Sequence, residues 1–211
     1  MSTPAANCPN CGAAVQFRWS SSVQTVCEYC QSILVRTDLD LKKVGTVADL
    51  PRDGSPVQLG SEGRYRHLSF VTIGRIIYEY DQGTWNEWHL AMSDGKNGWL
   101  SDAQLEFAVT FDSPGKQAPV AGAARLNQRC EWNGVRYTVT TITNARYRGT
   151  EGELPFQTWD KEKALFVDLR SAGANCATLD YSDGGPVLYL GEFVDCDALQ
   201  LKNLRRFEGW S

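Results

Sequence analysis

The chain has 211 residues, 42% of them hydrophobic, and a formal net charge of -4. That is enough apolar residue for a buried core in one large or two modest domains. It also disfavours a phosphate backbone as partner: residues 1–40 hold two basic and three acidic side chains, 41–115 seven and ten, and 116–211 twelve and twelve. No stretch stays apolar for the length needed to cross a bilayer, and residues 1–7 lack the basic segment and apolar run of a secretory signal. A cytoplasmic location is expected, with the inner face of the membrane as the alternative.

Along the chain, the cysteines come first. Cys8 and Cys11, then Cys27 and Cys30, form a Cys-x2-Cys pair, a fifteen-residue gap and a second Cys-x2-Cys pair. Two intervening residues let the backbone fold into a knuckle that aims both sulfurs at one metal, while the gap supplies a hairpin carrying the second knuckle to the other side. Pro9 and Gly12 shape the first knuckle, and Val15, Phe17 and Trp19 alternate with Gln16 and Arg18 as in a strand. The spacing predicts a zinc ribbon over residues 1–40 holding one structural Zn2+. Paired disulfides are disfavoured, because seven cysteines is an odd number and four of them sit at zinc spacing, as suits a reducing compartment. Cys130, Cys176 and Cys196 stand at no motif spacing and are expected to be small buried hydrophobes. The ribbon's basic residues are Arg18 and Arg36, too few for a nucleic-acid-binding ribbon to rank above last among the functional readings.

Beyond a short charged stretch at 38–43 and the punctuation of Pro51, Asp53, Gly54 and Pro56, the signals are β. Residues 69–80 are rich in Val, Ile, Phe and Tyr, with Gly74 marking a bulge. Asp81-Gln82-Gly83 turns into 85–92, where Trp88, Leu90 and Met92 face one way and Glu87 and His89 the other. Turns at Asp94-Gly95 and Asn97-Gly98, a brief Trp99-Leu100 and an alternating 107–111 complete a meander. A loose link runs from Ser113 to about Ala124. A hairpin follows, with strands before and after Asn133-Gly134 and an end near Ile142. Later strands are read at 164–169, 176–181 and 187–193, with a turn at Asp183-Gly184-Gly185. Leu105-Glu106-Phe107 and Gly191-Glu192-Phe193 form a weak internal repeat. The expected fold is mainly β: the zinc ribbon, then two divergent small β-barrel or β-roll domains at 41–115 and 116–211. One continuous sandwich is the alternative. Asp197 is placed to cap a short C-terminal helix with Leu201, Leu204 and Phe207 on its apolar side and Lys202, Arg205 and Arg206 as its charges. Packing of this segment on its own chain is favoured over contact with acidic lipid.

Tyr78-Glu79-Tyr80, Trp85-Asn86-Glu87-Trp88, Gly98-Trp99-Leu100-Ser101, Glu151-Gly152-Glu153-Leu154-Pro155-Phe156, Asp168-Leu169-Arg170, Ala177 through Tyr181 and Tyr189-Leu190-Gly191-Glu192 together resemble a bacterial family known only as a domain of unknown function, which commonly follows a four-cysteine zinc ribbon. The resemblance covers nearly the whole chain. Leu105 departs from it, standing where the family tends to have Gly. Members tend to be encoded beside phage-shock-protein-A-like proteins, small membrane proteins and aminopropyltransferase-like enzymes. The resemblance therefore implies an accessory role at a stressed envelope, and no reaction.

No phosphate loop, dinucleotide fingerprint or Gly-x-Ser-x-Gly occurs. Glu87 and His89 share one strand face and are the candidate acid/base pair of an enzyme acting on a small metabolite, against a solvated polar face. Asp180-Tyr181-Ser182-Asp183 reads equally as a cation loop or a turn. Glu151, Glu153, Leu154 and Phe156 suit a protruding loop with a sticky tip, against a loop folded back on its own core. With Trp85 and Trp99 they are the expected partner-binding residues; Trp88 is expected in the core. The leading functional expectation is a non-catalytic zinc-binding adaptor for a protein partner, a phage-shock-protein-A-like protein being the candidate.

Overall fold

The computed structural model describes residues 5–37, 41–47, 54–104, 106–157, 163–182 and 185–206. Among these, chain segments rich in β-branched and aromatic residues form strands, and there is no α-helix. Among the described residues no helix is long and apolar enough to cross a membrane. Strands β1 (Ala5–Asn7) and β2 (Ala14–Gln16) pair as one hairpin, and β3 (Gln24–Val26), β4 (Ser32–Arg36) and β5 (Leu41–Thr46) form a three-stranded antiparallel sheet. Val15, Phe17, Leu34 and Leu41 close a small core with Cys8 and Cys27. The ribbon's sheet thus runs past residue 40, because β5 pairs along β4.

The body is one ten-stranded antiparallel sheet. Its first half holds β6 (Glu62–Tyr65), β7 (Leu68–Tyr80), β8 (Gly83–Met92), β9 (Asn97–Ala103) and β10 (Glu106–Asp112). Its second half holds β11 (Arg129–Trp132), β12 (Val135–Gly152), β13 (Lys163–Arg170), β14 (Asn175–Asp180) and β15 (Val187–Val194). Each half curls around its own apolar cluster. Tyr65, Phe70, Trp88, Leu100 and Phe107 fill the first roll, and Trp132, Tyr137, Val167, Leu179 and Leu188 fill the second. The rolls join twice, through β10 with β15 and through β7 with β12. The eight strands from β7 to β10 and from β12 to β15 therefore form a closed ring, which joins the two expected rolls into a single sheet. Each join has a glycine at a point of close approach. A Cβ on Gly191 would collide with the Val109 carbonyl oxygen, and one on Gly74 with that of Glu153.

Local signals land where the residues point. The ladder slips between Thr72 and Gly74, the bulge read at Gly74. Asn133 and Gly134 both have positive φ in the turn joining Trp132 to Val135. The repeat falls on the two strands that pair, but its phenylalanines face opposite ways: Phe107 lies in the first roll's core, whereas Phe193 lines the space between the rolls. Leu105, and Asp183 with Gly184 of the second turn, lie outside the described residues, as do residues 38–40, Pro51 and Asp53.

Two readings are corrected. The strand after Asn133-Gly134 does not end near Ile142; β12 continues to Gly152, held first by β13 and then by β7. The helix capped by Asp197 is also absent. A single 3-10 turn at Cys196–Leu199, with no side-chain cap, ends at Gln200 in the left-handed conformation. The tail then lies flat on the first roll: Leu199 is buried, Leu201 packs beside it, Lys202 exchanges backbone hydrogen bonds with Glu62, and the Arg205 N–H donates to the Pro56 carbonyl. The amphipathic face required for lipid contact does not form over 200–206, and Phe207 lies outside the described residues. Of the three unpatterned cysteines, Cys176 is buried as expected, Cys130 half-buried and Cys196 exposed on the turn.

Trp88 is 0% exposed and its ring carries the Arg75 guanidinium 4.8 Å from its centre. Trp88→Ala should lower unfolding free energy by about 3–5 kcal/mol, read as a shift in the urea midpoint at unchanged slope.

Candidate metal centre and the cavity between the rolls

The two knuckles are built alike. The Gly12 N–H donates to the Cys8 carbonyl at 2.8 Å and the Gln31 N–H to the Cys27 carbonyl at 2.9 Å, with Gly12 and Gln31 both left-handed at φ 77° and 56°. The Cys8 N–H donates to Ala13 and the Cys27 N–H to Ser32. These turns bring all four sulfurs within 4.8 Å of one another. Cys8 and Cys30 Sγ lie 3.7 Å apart, and Cys11 and Cys27 Sγ 3.8 Å. A disulfide needs about 2.05 Å. One metal about 2.3 Å from four tetrahedral sulfurs sets them about 3.8 Å apart. Ser32 Oγ, 3.2 Å from Cys30 Sγ, is placed to donate to a thiolate, and together with Asn10 it holds the Cys30 thiol below its ordinary range. The four cysteines could hold one metal ion.

Segment 151–156 faces the ribbon of its own chain. Glu153 is 4% exposed; its carboxylate accepts from the backbone N–H of Arg18 at 2.7 Å and of Trp19 at 3.1 Å. Leu154, fully buried, exchanges backbone hydrogen bonds with Gln24 and accepts from the Val23 N–H. Glu151 pairs with the buried Arg75 at 2.8 Å, in register across the β7–β12 join. Behind this contact sits His89, 0% exposed: its Nδ1 donates to the Glu153 carbonyl at 2.8 Å, and its Nε2 lies 3.0 Å from Asn97 Oδ1. Asn97 Oδ1 also accepts from Trp19 Nε1 at 2.9 Å. Burial lowers the His89 pKa.

A cavity of about 770 Å³ lies between the rolls. Its walls come from all eight ring strands, β7 to β10 and β12 to β15, and it reaches solvent at Asp81 and Gln82, both exposed. Tyr78 stacks on Trp85 at 4.9 Å and meets Phe166 edge-on at 4.9 Å; Trp99 and Phe156 lie 5.6 Å apart. Glu87 sits among them. The Ser101 hydroxyl donates to its carboxylate at 2.7 Å and Trp85 Nε1 at 3.1 Å. Burial, reinforced by Asp168 and Asp180, pushes Glu87 up to about 7. Asp168 is likewise raised by burial, although Thr178 Oγ1 donates to it at 2.9 Å.

The geometry therefore redistributes the residues singled out from sequence. Glu87 and His89 share a face of β8, as read, but do not pair: Glu87 opens into the cavity and His89 is locked beneath the ribbon. Glu153 and Leu154 have no exposed side chain to offer a partner, and Trp99 is 7% exposed. Trp85 and Phe156 are half-buried on the cavity wall, and Glu151 is held by Arg75. Arg18 meets Glu28 at 3.4 Å, and Arg36 lies over the Phe17 ring at 4.1 Å, so both ribbon arginines are used locally. Sequence reading missed Asp168, Thr178 and Ser101 as cavity residues; the available signal was the alternation of Asp168 and Thr178 with apolar neighbours on β13 and β14.

The model of the family described as Domain of unknown function (DUF4178) matches residues 58–196, the span from before β6 to the end of β15, and the chain belongs to that family. A protein of Synechococcus elongatus described as a putative thiosulfate sulfurtransferase is 35% identical over 104 residues, covering 43% of this chain and 32% of that protein. The chain thus spans about a third of that relative's length. No solved structure matches the chain.

Glu87 gives a pH signature. A carboxyl whose folded pKa stands above its unfolded value of 4.5 opposes folding once it ionises in the unfolded chain. Its adverse effect grows as pH rises from 4.5 to about 7 and is constant above. Glu87→Gln should therefore be more stable than the parent at pH 8, with the difference shrinking toward pH 6, as read from thermal midpoints at both values.

Proposed function

We propose that the chain is a non-catalytic binding module in which Cys8, Cys11, Cys27 and Cys30 hold one structural Zn2+ and the body takes a small molecule into the cavity between its rolls. The zinc assignment follows from the donor set. Four thiolates at tetrahedral spacing complete the coordination sphere and leave no position for a reacting water. The metal fixes the ribbon, the ribbon seals the body over His89, and the ligand site lies elsewhere. The observation that carries the reading is the cavity itself, whose volume of about 770 Å³ and convergent polar groups suit a small ligand.

The sulfur chemistry in the relative's description does not transfer readily. Sulfur transfer needs a thiolate acceptor, and the cavity's cysteine, Cys176, is pushed up to about 12 by burial and by Asp168. Partial burial raises Cys130. A protein partner of the phage-shock-protein-A-like kind draws support from the family's neighbourhood rather than from surface geometry, since the segment meant to meet it is spent on the ribbon.

Purified protein should contain one zinc per chain, and Cys27→Ser with Cys30→Ser should abolish it; metal-free parent protein would refute the assignment. Denaturing the purified protein and analysing the released material by mass spectrometry should yield a co-purifying small molecule. Ala108→Phe, which fills the cavity wall, should remove it while leaving zinc content unchanged. Equal recovery from the two proteins would place the ligand outside the cavity.

A further inference from the structure

The cavity's charge is one-sided. Among the described residues its ionisable lining consists of five carboxylates, Asp81, Glu87, Glu106, Asp168 and Asp180, and one guanidinium, Arg170, beside tyrosine and cysteine side chains. That guanidinium is already engaged: it holds Glu106 through two hydrogen bonds of 3.0 and 2.6 Å and lies 4.0 Å over the Phe193 ring. Deeper in, Glu87 receives the Ser101 hydroxyl and the Trp85 indole N–H. Asp168 receives the Thr178 hydroxyl, with a lesser attraction from Arg170. Neutral donors compensate a buried carboxylate only in part, so these groups gain most from a cation brought in from outside.

Two further observations select the kind of cation. No three of these carboxylates converge closely enough to hold a metal ion; the four cysteines are the cluster among the described residues that does. Glu87, Asp168 and Asp180 are instead spread over β8, β13 and β14, and the wall between them is aromatic: Tyr78, Trp85 and Phe166 make mutual ring contacts of 4.9 to 5.6 Å. Ring faces attract an ammonium group and also bury methylenes, whereas a small hydrated inorganic ion gains little from them.

We propose that the cavity binds an alkylammonium ligand, its charged head paired with Glu87 and Asp168 and its hydrocarbon chain lying against Tyr78, Trp85 and Phe166. This rests on the cavity being the ligand site and adds the ligand's chemical class. Ser101 and Thr178 orient the two carboxylates, and Arg170 at the rim keeps Glu106 from competing for the head group. A neutral molecule of the same length fills the same volume without charge pairing.

Calorimetric titration of the intact, zinc-loaded chain with butylammonium and butane-1,4-diammonium chlorides, against butan-1-ol and butyrate, tests this at constant pH and salt. The ammonium probes should bind saturably, and Glu87→Gln and Asp168→Asn should each weaken them by roughly tenfold or more, with zinc content and circular dichroism unchanged. Glu28→Gln, a ribbon-surface change, should leave binding as it was. Butan-1-ol binding as tightly as butylammonium, or ammonium binding indifferent to both cavity variants, overturns the proposal. If none of the probes binds but an uncharged molecule co-purifies and is lost in Ala108→Phe, the cation inference fails while the ligand-site reading stands. If nothing binds and nothing co-purifies, both fail.

Discussion

The carboxylate of Glu153 is the contact on which the arrangement of ribbon and body turns. It is almost wholly buried, which is expensive for a charge, and it is stabilised by two charge-assisted hydrogen bonds from consecutive ribbon amides, Arg18 and Trp19. Each side of this contact is set by a different constraint. On the ribbon side, the knuckles and the small core around Phe17 fix where those amides point. On the body side, the β7–β12 join delivers the chain to residue 153. The Glu153 N–H donates to the Ile73 carbonyl, and the absence of a side chain at Gly74 leaves room for the Glu153 carbonyl to approach. That carbonyl then receives His89, which reaches Asn97 and through it Trp19. The network links both rolls and the ribbon through a short chain of buried polar contacts.

Closing the two rolls into one sheet has a second consequence. On β8, β13 and β14 one face of the strand turns to its own roll and the other to the space between the rolls. On β8 the roll face carries Trp88, Leu90 and Met92, and the inter-roll face carries Trp85 and Glu87. On β13 and β14 the same alternation sets Val167, Leu169 and Leu179 against Asp168 and Thr178. An enclosed face would ordinarily be apolar. Here the aromatic rings pack as a third apolar cluster with Ile76, Ala145 and Ala164, while the carboxylates beside them carry raised pKa values, a cost to folding that suits recognition.

What could be read from the sequence was what is decided locally. The cysteine spacing, the Asn133-Gly134 turn, the bulge at Gly74 and the alternation through 85–92 depend on backbone preferences and periodicity within a few residues. What escaped was decided by distant pairing. Residues 143–152, with Asn144, Arg146 and Arg148, lie beyond the strand end read near Ile142, yet they form strand because β13 and β7 take up their backbone groups. The Leu154-Pro155-Phe156 triplet looked adhesive, and it is, but its surface is supplied by Gln24 and Trp99 of the same chain. The tail has helical spacing of leucines, but β6 offers an edge at Glu62, and one bridge there holds the chain extended. The cavity residues were individually visible as the polar members of alternating strands; only ring closure reveals that they face one another.

Amide hydrogen exchange at the ribbon–body contact tests this account most directly. If Glu153 holds the two parts together, the Arg18 and Trp19 amides exchange slowly in the parent and much faster in Glu153→Ala, while the knuckle amides of Gly12 and Gln31 and the strands of both rolls keep their protection. Unchanged exchange at Arg18 and Trp19 in that variant would contradict it.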